Sequence, residues 1–192
     1  MHYMRIDTRI GIVRDIISPL RDQFEKIKEI NKEYEFYYWD MIYADDTEHI
    51  VGLVFIILQN YINSSISDLY PDLKKVYTKY SNDKKIKKSQ ITRIELIITI
   101  ANYYKHRDLP PELHNNTTRV LDDLNIKYKE YYDEQDLEYF YAIGASSPVF
   151  SGLDMLSENW DFLDLINIVS EWRENLWINE ENIRNEFKSI SN

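Results

Sequence analysis

Apolar residues recur along the chain at steps of three and four, and strand-like alternation is hard to find. Ile10, Val13, Ile17, Leu20, Phe24, Ile27 and Tyr34 fall on one face, with Arg14, Asp15, Arg21, Asp22, Glu25, Lys26 and Glu29 on the other, the pattern of an amphipathic helix. Ser18-Pro19 interrupts it, as an N-cap followed by proline at the first helical position or as a kink, and the main helix is expected to start there. From Ile50 through Ile62, Ile50, Leu53, Val54, Ile57, Leu58 and Tyr61 form one stripe, while Val51, Phe55, Ile56 and Ile62 make the remainder apolar too. A helix apolar all round belongs at the centre of a fold.

A third helix is expected from about Ser89 to His106, with Ile91, Ile94, Ile97, Ile98, Ala101 and Tyr104 on one face. Leu109-Pro110-Pro111 ends it, because the residue before a proline is pushed out of helical geometry. Leu113, Val120, Leu121 and Leu124 mark a shorter helix, and Leu137 to Ile143 another, before a loop at Gly144-Ala145-Ser146-Ser147-Pro148. Phe162, Leu165, Ile166, Val169, Trp172 and Leu176 set out a last, strong helix. The expected fold is all-α: a single domain spanning residues 1–192, built as a bundle of four or more long helices with short accessory ones.

Composition agrees with that picture. Four glycines and five prolines are low punctuation for 192 residues, and that length buries a continuous core without staples. The absence of cysteine excludes a disulfide framework, a thiolate nucleophile and cysteine-ligated metal, and suits a reducing compartment. At the N-terminus Arg5 and Asp7 arrive before any apolar run develops, so no secretory signal is expected and the cytoplasm is the expected location. The longest apolar stretch, Ile50 to Leu58, is about half a bilayer-spanning helix, which reads as core with no membrane partner.

Charge narrows the partners. With 33 acidic against 23 basic residues the formal net charge is -10, which repels polyanions and argues against direct nucleic-acid binding; a basic partner fits better. The distribution is uneven. Lys74, Lys75, Lys79, Lys84, Lys85, Lys87, Lys88 and Arg93 face Asp83 alone in one segment, whereas Asp122, Asp123, Glu130, Asp133, Glu134, Asp136 and Glu138 crowd together beside Tyr128, Tyr131, Tyr132 and Tyr139. The run Lys84-Lys85-Ile86-Lys87-Lys88 suits phosphates, an anionic surface or an import signal, and equally a solvated connector. The tyrosine-rich acidic stretch 128–141 suits a surface that grips a basic partner, or an amphipathic helix that buries half its tyrosines.

Two constellations are candidates for chemistry. Glu95, Asn102 and His106, spaced by seven and four residues, line one edge of the third helix, with Thr99 close by. Such a stripe is a site, or boundary residues that satisfy one another, and Lys105-His106-Arg107 also complements the helix dipole. Asp46 and His49, within Asp45-Asp46-Thr47-Glu48-His49, have the carboxylate-x-x-histidine spacing of di-iron bundles, but no second copy occurs. Asp45 with Glu48 also reads as a capping box opening the central helix. A metal- or ligand-binding bundle around His49 and His106 is the weakest reading, and no cofactor or metal is expected. There is no glycine-rich phosphate loop and no nucleophile elbow. Three of the tryptophans, Trp160, Trp172 and Trp177, belong to the last helix pattern, and Trp39 precedes the central helix.

The segment Ala101-Asn102-Tyr103-Tyr104-Lys105-His106, closing an apolar helix, resembles the signature of HEPN domains, helical-bundle ribonucleases and their inactive relatives. That signature is an arginine, usually followed by a polar residue, then a histidine four to six residues on. Asn102 matches the polar position and His106 the histidine, while Ala101 stands where the arginine should be. Alanine can neither stabilise phosphate charge nor donate hydrogen bonds, so the resemblance implies a HEPN-like bundle without the usual ribonuclease chemistry. In type the chain also resembles the helical immunity proteins that bacteria pair with contact-dependent growth-inhibition toxins. Together with the acidity and the clustered Asp, Glu and Tyr residues, that likeness of type leads to the expectation of an antitoxin that neutralises a cognate toxin, a basic nuclease, with Glu130, Tyr131, Tyr132, Asp133, Glu134, Asp136, Glu138 and Tyr139 as the binding surface and no catalytic residue of its own. The alternative is a dimeric HEPN-type ribonuclease using Asn102 and His106, with Lys105 or Arg107 replacing the arginine. Without a complete motif, a binding protein is favoured over an enzyme.

Overall fold

The computed structural model describes residues 6–33, 37–108, 113–131 and 139–190. Among these, six α-helices and one small hairpin follow in the order α1 (Arg9–Glu33), α2 (Tyr37–Leu69), α3 (Arg93–His106), α4 (Asn115–Asp123), β1 (Lys129–Tyr131), β2 (Tyr139–Tyr141), α5 (Pro148–Leu156) and α6 (Phe162–Ile190). Short 3-10 turns lie at Val76–Lys79 and Gly144–Ser146. The chain is an all-α bundle, as the periodicity predicts.

The central element is α2, 33 residues and about 50 Å long at 1.5 Å per residue. It packs against α1, α3, α5 and α6. Val51, Val54, Phe55, Leu58, Ile62 and Ile66 are fully enclosed on it, and Phe24, Ile97, Phe162 and Trp172 meet them from neighbouring helices in one continuous core. Its Ala44–Leu69 stretch is long and apolar enough to cross a bilayer, yet 56% of its most apolar window is buried inside the fold, as in a core helix. The helix is not apolar all round. Gln59 and Ser65 are buried on it, and Leu53 is 45% exposed.

The first helix departs from expectation by running straight through Ser18-Pro19. Pro19 lies on the exposed side of the helix, where a carbonyl that loses its partner is open to solvent, while Ile17 and Phe24 anchor both halves of the helix in the core. Its start is set by Asp7, whose carboxylate accepts the backbone N–H groups of Arg9 (3.2 Å) and Ile10 (3.1 Å). The same carboxylate accepts the Tyr61 hydroxyl and lies 3.7 Å from Arg173, which ties α1, α2 and α6 at one end of the bundle.

The capping box also lies elsewhere than expected. Asp45 and Glu48 are interior to α2, which begins at Tyr37. The box forms at Thr92 and Glu95: Thr92 Oγ1 accepts the Glu95 N–H (3.1 Å) and Glu95 Oε2 accepts the Thr92 N–H (2.9 Å), starting α3 at Arg93. The helix expected over Leu137 to Ile143 is also corrected, since Tyr139–Tyr141 is a strand paired antiparallel with Lys129–Tyr131. Consecutive aromatics prefer an extended, half-buried pleat to a helix. The last helix follows its predicted spacing, with Leu165, Ile166, Val169, Trp172 and Leu176 buried. Trp160 lies before that helix, with a left-handed backbone (φ 59°), and its ring stacks on Phe150 at 5.6 Å and Phe24 at 6.4 Å. Trp39 lies within α2.

Two glycines set how closely helices approach α3. A Cβ on Gly52 of α2 would lie 2.5 Å from the Tyr104 ring, and one on Gly152 of α5 would lie 2.6 Å from Ile100 Cγ1. Gly52→Ala is expected to lower stability by about 1–3 kcal/mol, the usual cost of overpacking, because the stem of an aromatic ring must move. Urea unfolding followed by circular dichroism measures it.

Candidate functional site

The cluster nearest to a site forms where α3 crosses the middle of α2. Gln59 of α2 is buried, and its side-chain amide is fully used: Nε2 donates to Asn102 Oδ1 (2.8 Å) and to the Ile98 carbonyl (3.5 Å), while Oε1 accepts from Lys105 Nζ (2.6 Å). Desolvation lowers the Lys105 pKa from its ordinary value. This chain of amides borders a cavity of about 610 Å³ between α2, α3, α4 and the Val76–Lys79 turn, and Glu95, Thr99 and Asn102 also line it.

The helical phase therefore brings Glu95 and Asn102 together, as their spacing predicts. His106 is exposed and does not line the cavity, because α3 ends there, one residue past the Lys105 contact that closes the wall. Ala101 is wholly buried in the core. Gln59, Asn60 and Asn63 were not singled out from sequence, although they interrupt an apolar run at one-turn spacing. That interruption was the available signal.

Arg107 has a different role. It is 9% exposed, forms an ion pair with Glu48 of α2, and its guanidinium lies 4.8 Å from the centre of the Tyr104 ring. Desolvation lowers its pKa, with Asp108 opposing. The other Glu48 oxygen accepts the Gly144 N–H at 2.9 Å. Gly144 is left-handed (φ 58°), and Asp45 fills the space a side chain would take. Glu48 is thus a buried tie to α3 and to the loop before α5. An arginine so enclosed is no substitute for one presented to phosphate. His49 Nδ1 is 2.7 Å from the Tyr104 hydroxyl, and no group of three histidine, aspartate or glutamate side chains is placed to hold a metal ion among the described residues.

The hairpin pairs Lys129 with Tyr141, Glu130 with Phe140 and Tyr131 with Tyr139. Its root is fixed to α3. The buried Tyr103 hydroxyl donates to the Ala142 carbonyl, the Tyr103 and Tyr141 rings meet edge to face at 6.3 Å, and Tyr141 Oη accepts the Leu113 N–H at 3.0 Å. Of the predicted partner-binding residues, Glu130 is half-buried beside Lys127 (3.9 Å), and Tyr131 and Tyr139 oppose one another across the strands. Tyr132, Asp133, Glu134, Asp136 and Glu138 lie outside the described residues. The lysine run is a connector braced on α6: Lys84 pairs with Glu171 at 2.6 Å, and Arg93 joins Asp83 (2.6 Å) to Glu171 (3.2 Å).

No family model, curated protein or solved structure matches the chain.

Arg107→Met is expected to destabilise the fold by about 3–5 kcal/mol, because it leaves the Glu48 carboxylate buried without its partner. Adding Glu48→Gln removes that charge while keeping an acceptor for the Gly144 N–H. The double variant should therefore unfold at higher urea than Arg107→Met alone.

A second expectation concerns alkaline pH. Burial raises the Tyr103 pKa above the ordinary tyrosine value of about 10, with Asp108 and Glu130 adding to it, and burial also raises Tyr61, helped by its bond to Asp7. A folded pKa above the unfolded one gives stability that is complete below about pH 10 and is lost as pH rises further, since only the unfolded chain ionises easily. Stepwise alkaline titration should show exposed tyrosines ionising first and a second rise in tyrosinate absorbance coinciding with loss of helical dichroism.

Proposed function

We propose that this chain is an immunity-type binding protein that neutralises a cognate toxin, a basic nuclease, by covering its active site with an acidic, tyrosine-rich surface, and that it acts in the cytoplasm. One observation carries the reading: the strands β1 and β2 bracket residues 132–138, and the root of that hairpin is fixed to α3 through Tyr103. The intervening sequence holds Asp133, Glu134, Asp136 and Glu138. A root fixed in this way limits the entropy lost on association.

Charge and aromatic area supply the rest. A net charge of -10 speeds encounter with a basic partner, while tyrosines at the centre of an interface slow dissociation. The HEPN-like segment becomes a mark of ancestry on this reading, with Ala101 serving packing.

Co-expression with the protein encoded by the neighbouring reading frame tests the proposal. The expected outcome is rescue of growth and a complex that survives purification; neither rescue nor complex would sink it. Within such a complex, replacing Asp133, Glu134 and Asp136 together by lysine should slow association at least about tenfold, with a smaller change in dissociation. Incubation of the pure protein with total RNA separates the other reading, since cleavage lost in His106→Ala would make the chain a ribonuclease.

A further inference from the structure

The cavity between α2, α3 and α4 is lined mainly by polar side chains, and three of its amide oxygens are consumed by the protein itself. Asn102 Oδ1 accepts from Gln59 (2.8 Å), Gln59 Oε1 accepts from Lys105 (2.6 Å), and Asn63 Oδ1 accepts the Tyr80 hydroxyl (2.7 Å). Because those carbonyls face their neighbours, the Nδ2 groups of Asn102 and Asn63 are left without a partner among the described residues. The Thr99 hydroxyl likewise has no partner, and the Lys105 ammonium has two protons beyond the one given to Gln59. His114 Nδ1 accepts the Asn116 N–H (3.2 Å), so the neutral ring carries its proton on Nε2, another donor at the wall.

Successive donors on α3 are neighbours along the cavity wall. Thr99, Asn102 and Lys105 follow at three-residue steps on α3, which puts neighbouring side chains about 5–6 Å apart. Asn63 joins them from the opposite side. The contacts Glu48 with Arg107, Gly52 with Tyr104 and Gln59 with Asn102 show that α2 and α3 run antiparallel, so one turn beyond Gln59 lies beside the level of Thr99. Farther along, at the start of α3, Glu95 spends Oε2 on the Thr92 N–H and retains Oε1, near the exposed ring of Tyr77.

We infer that this cavity binds a small organic phosphate, with its phosphate among Thr99, Asn102, Lys105 and Asn63, and a hydroxyl- or amine-bearing body reaching toward Glu95 and Tyr77. A phosphate offers three strongly accepting terminal oxygens, which suits four donor groups lining one cavity better than the two oxygens of a carboxylate. About 610 Å³ holds a ligand the size of a nucleoside monophosphate or a sugar phosphate. The overall charge of -10 opposes an anion's approach, so affinity rests on these short-range donors rather than on the long-range field. No described residue of β1 or β2 lines the cavity, so the site does not depend on the toxin-binding reading.

Calorimetric titration of the pure, full-length chain with adenosine monophosphate, glucose 6-phosphate, adenosine and citrate provides the test. At least one of the two phosphorylated probes should bind at millimolar concentration or below, and neither adenosine nor citrate should match it. Asn102→Asp keeps the oxygen that accepts from Gln59 and turns the free donor into an anionic acceptor. It should weaken binding at least about tenfold, the loss expected for a hydrogen bond to a charged group. Thr99→Val, which removes the hydroxyl at constant shape, should weaken it in the same direction, and helical dichroism reports whether each variant folds. Failure of both phosphorylated probes, preference for adenosine or citrate, or unchanged affinity in both folded variants would overturn the inference.

Discussion

The buried pair of Glu48 and Arg107 fixes more of this structure than its size implies. Arg107 follows the last turn of α3, with its backbone N–H bonded to the Tyr103 carbonyl at 3.0 Å, so its side chain has little freedom to leave. Burial penalises its charge, and the Glu48 carboxylate makes the position tolerable. Since Glu48 also holds the Gly144 N–H, a single carboxylate sets the end of α3 and the entry to α5 relative to α2. Gly52, one helical turn farther along α2, lets the Tyr104 ring lie against the helix backbone between the ion pair and the cavity. Gln59 with Asn102 then makes the next contact. Polar ties at both ends of this stretch hold α2 and α3 in one register, which apolar packing alone specifies less sharply.

Which parts of this arrangement were legible in the sequence follows from how local each cause is. Periodicity located α1, α3, α4 and α6, because an amphipathic face is a property of neighbours along the chain. The capping box shows the limit. Asp45 with Glu48 and Thr92 with Glu95 carry the same local signal, yet the box closes only at the second. α2 begins at Tyr37, eight residues before Asp45, so no free N–H groups remain there to cap, and Glu48 pairs instead with the distant Arg107. Pro19 misled for a similar reason: its cost depends on whether the freed carbonyl meets water, and that depends on which side of α1 the fold covers. The run Tyr139-Phe140-Tyr141 becomes a strand because Lys129–Tyr131 is there to pair with it.

The candidate site divides along the same line. Helical phase placed Ala101 in the packed face and Asn102 at its edge, and both hold. It also grouped His106 with Asn102, although the end of α3 and the reach of Lys105 decide where the cavity ends. Gln59 escaped notice because a polar residue within an apolar helix reads as a blemish until its partners are known. Its three contacts turn it into the element that orients Asn102 and Lys105.

Three consecutive residues of α3 take three separate tasks. Asn102 faces the cavity, Tyr103 holds the root of the hairpin at Ala142, and Tyr104 packs on Gly52 beneath Arg107. At about 100° per residue a helix must distribute such neighbours around its axis, so these directions follow from the geometry once Glu48 and Gln59 have set the helix's rotation. The consequence is electrostatic as well as steric. Charge on a solvated surface acts at long range, whereas hydrogen-bond donors gain strength where a wall is partly desolvated. Asn102 and Tyr103, pointing to different sides of one helix, keep the cavity and the root of the hairpin apart.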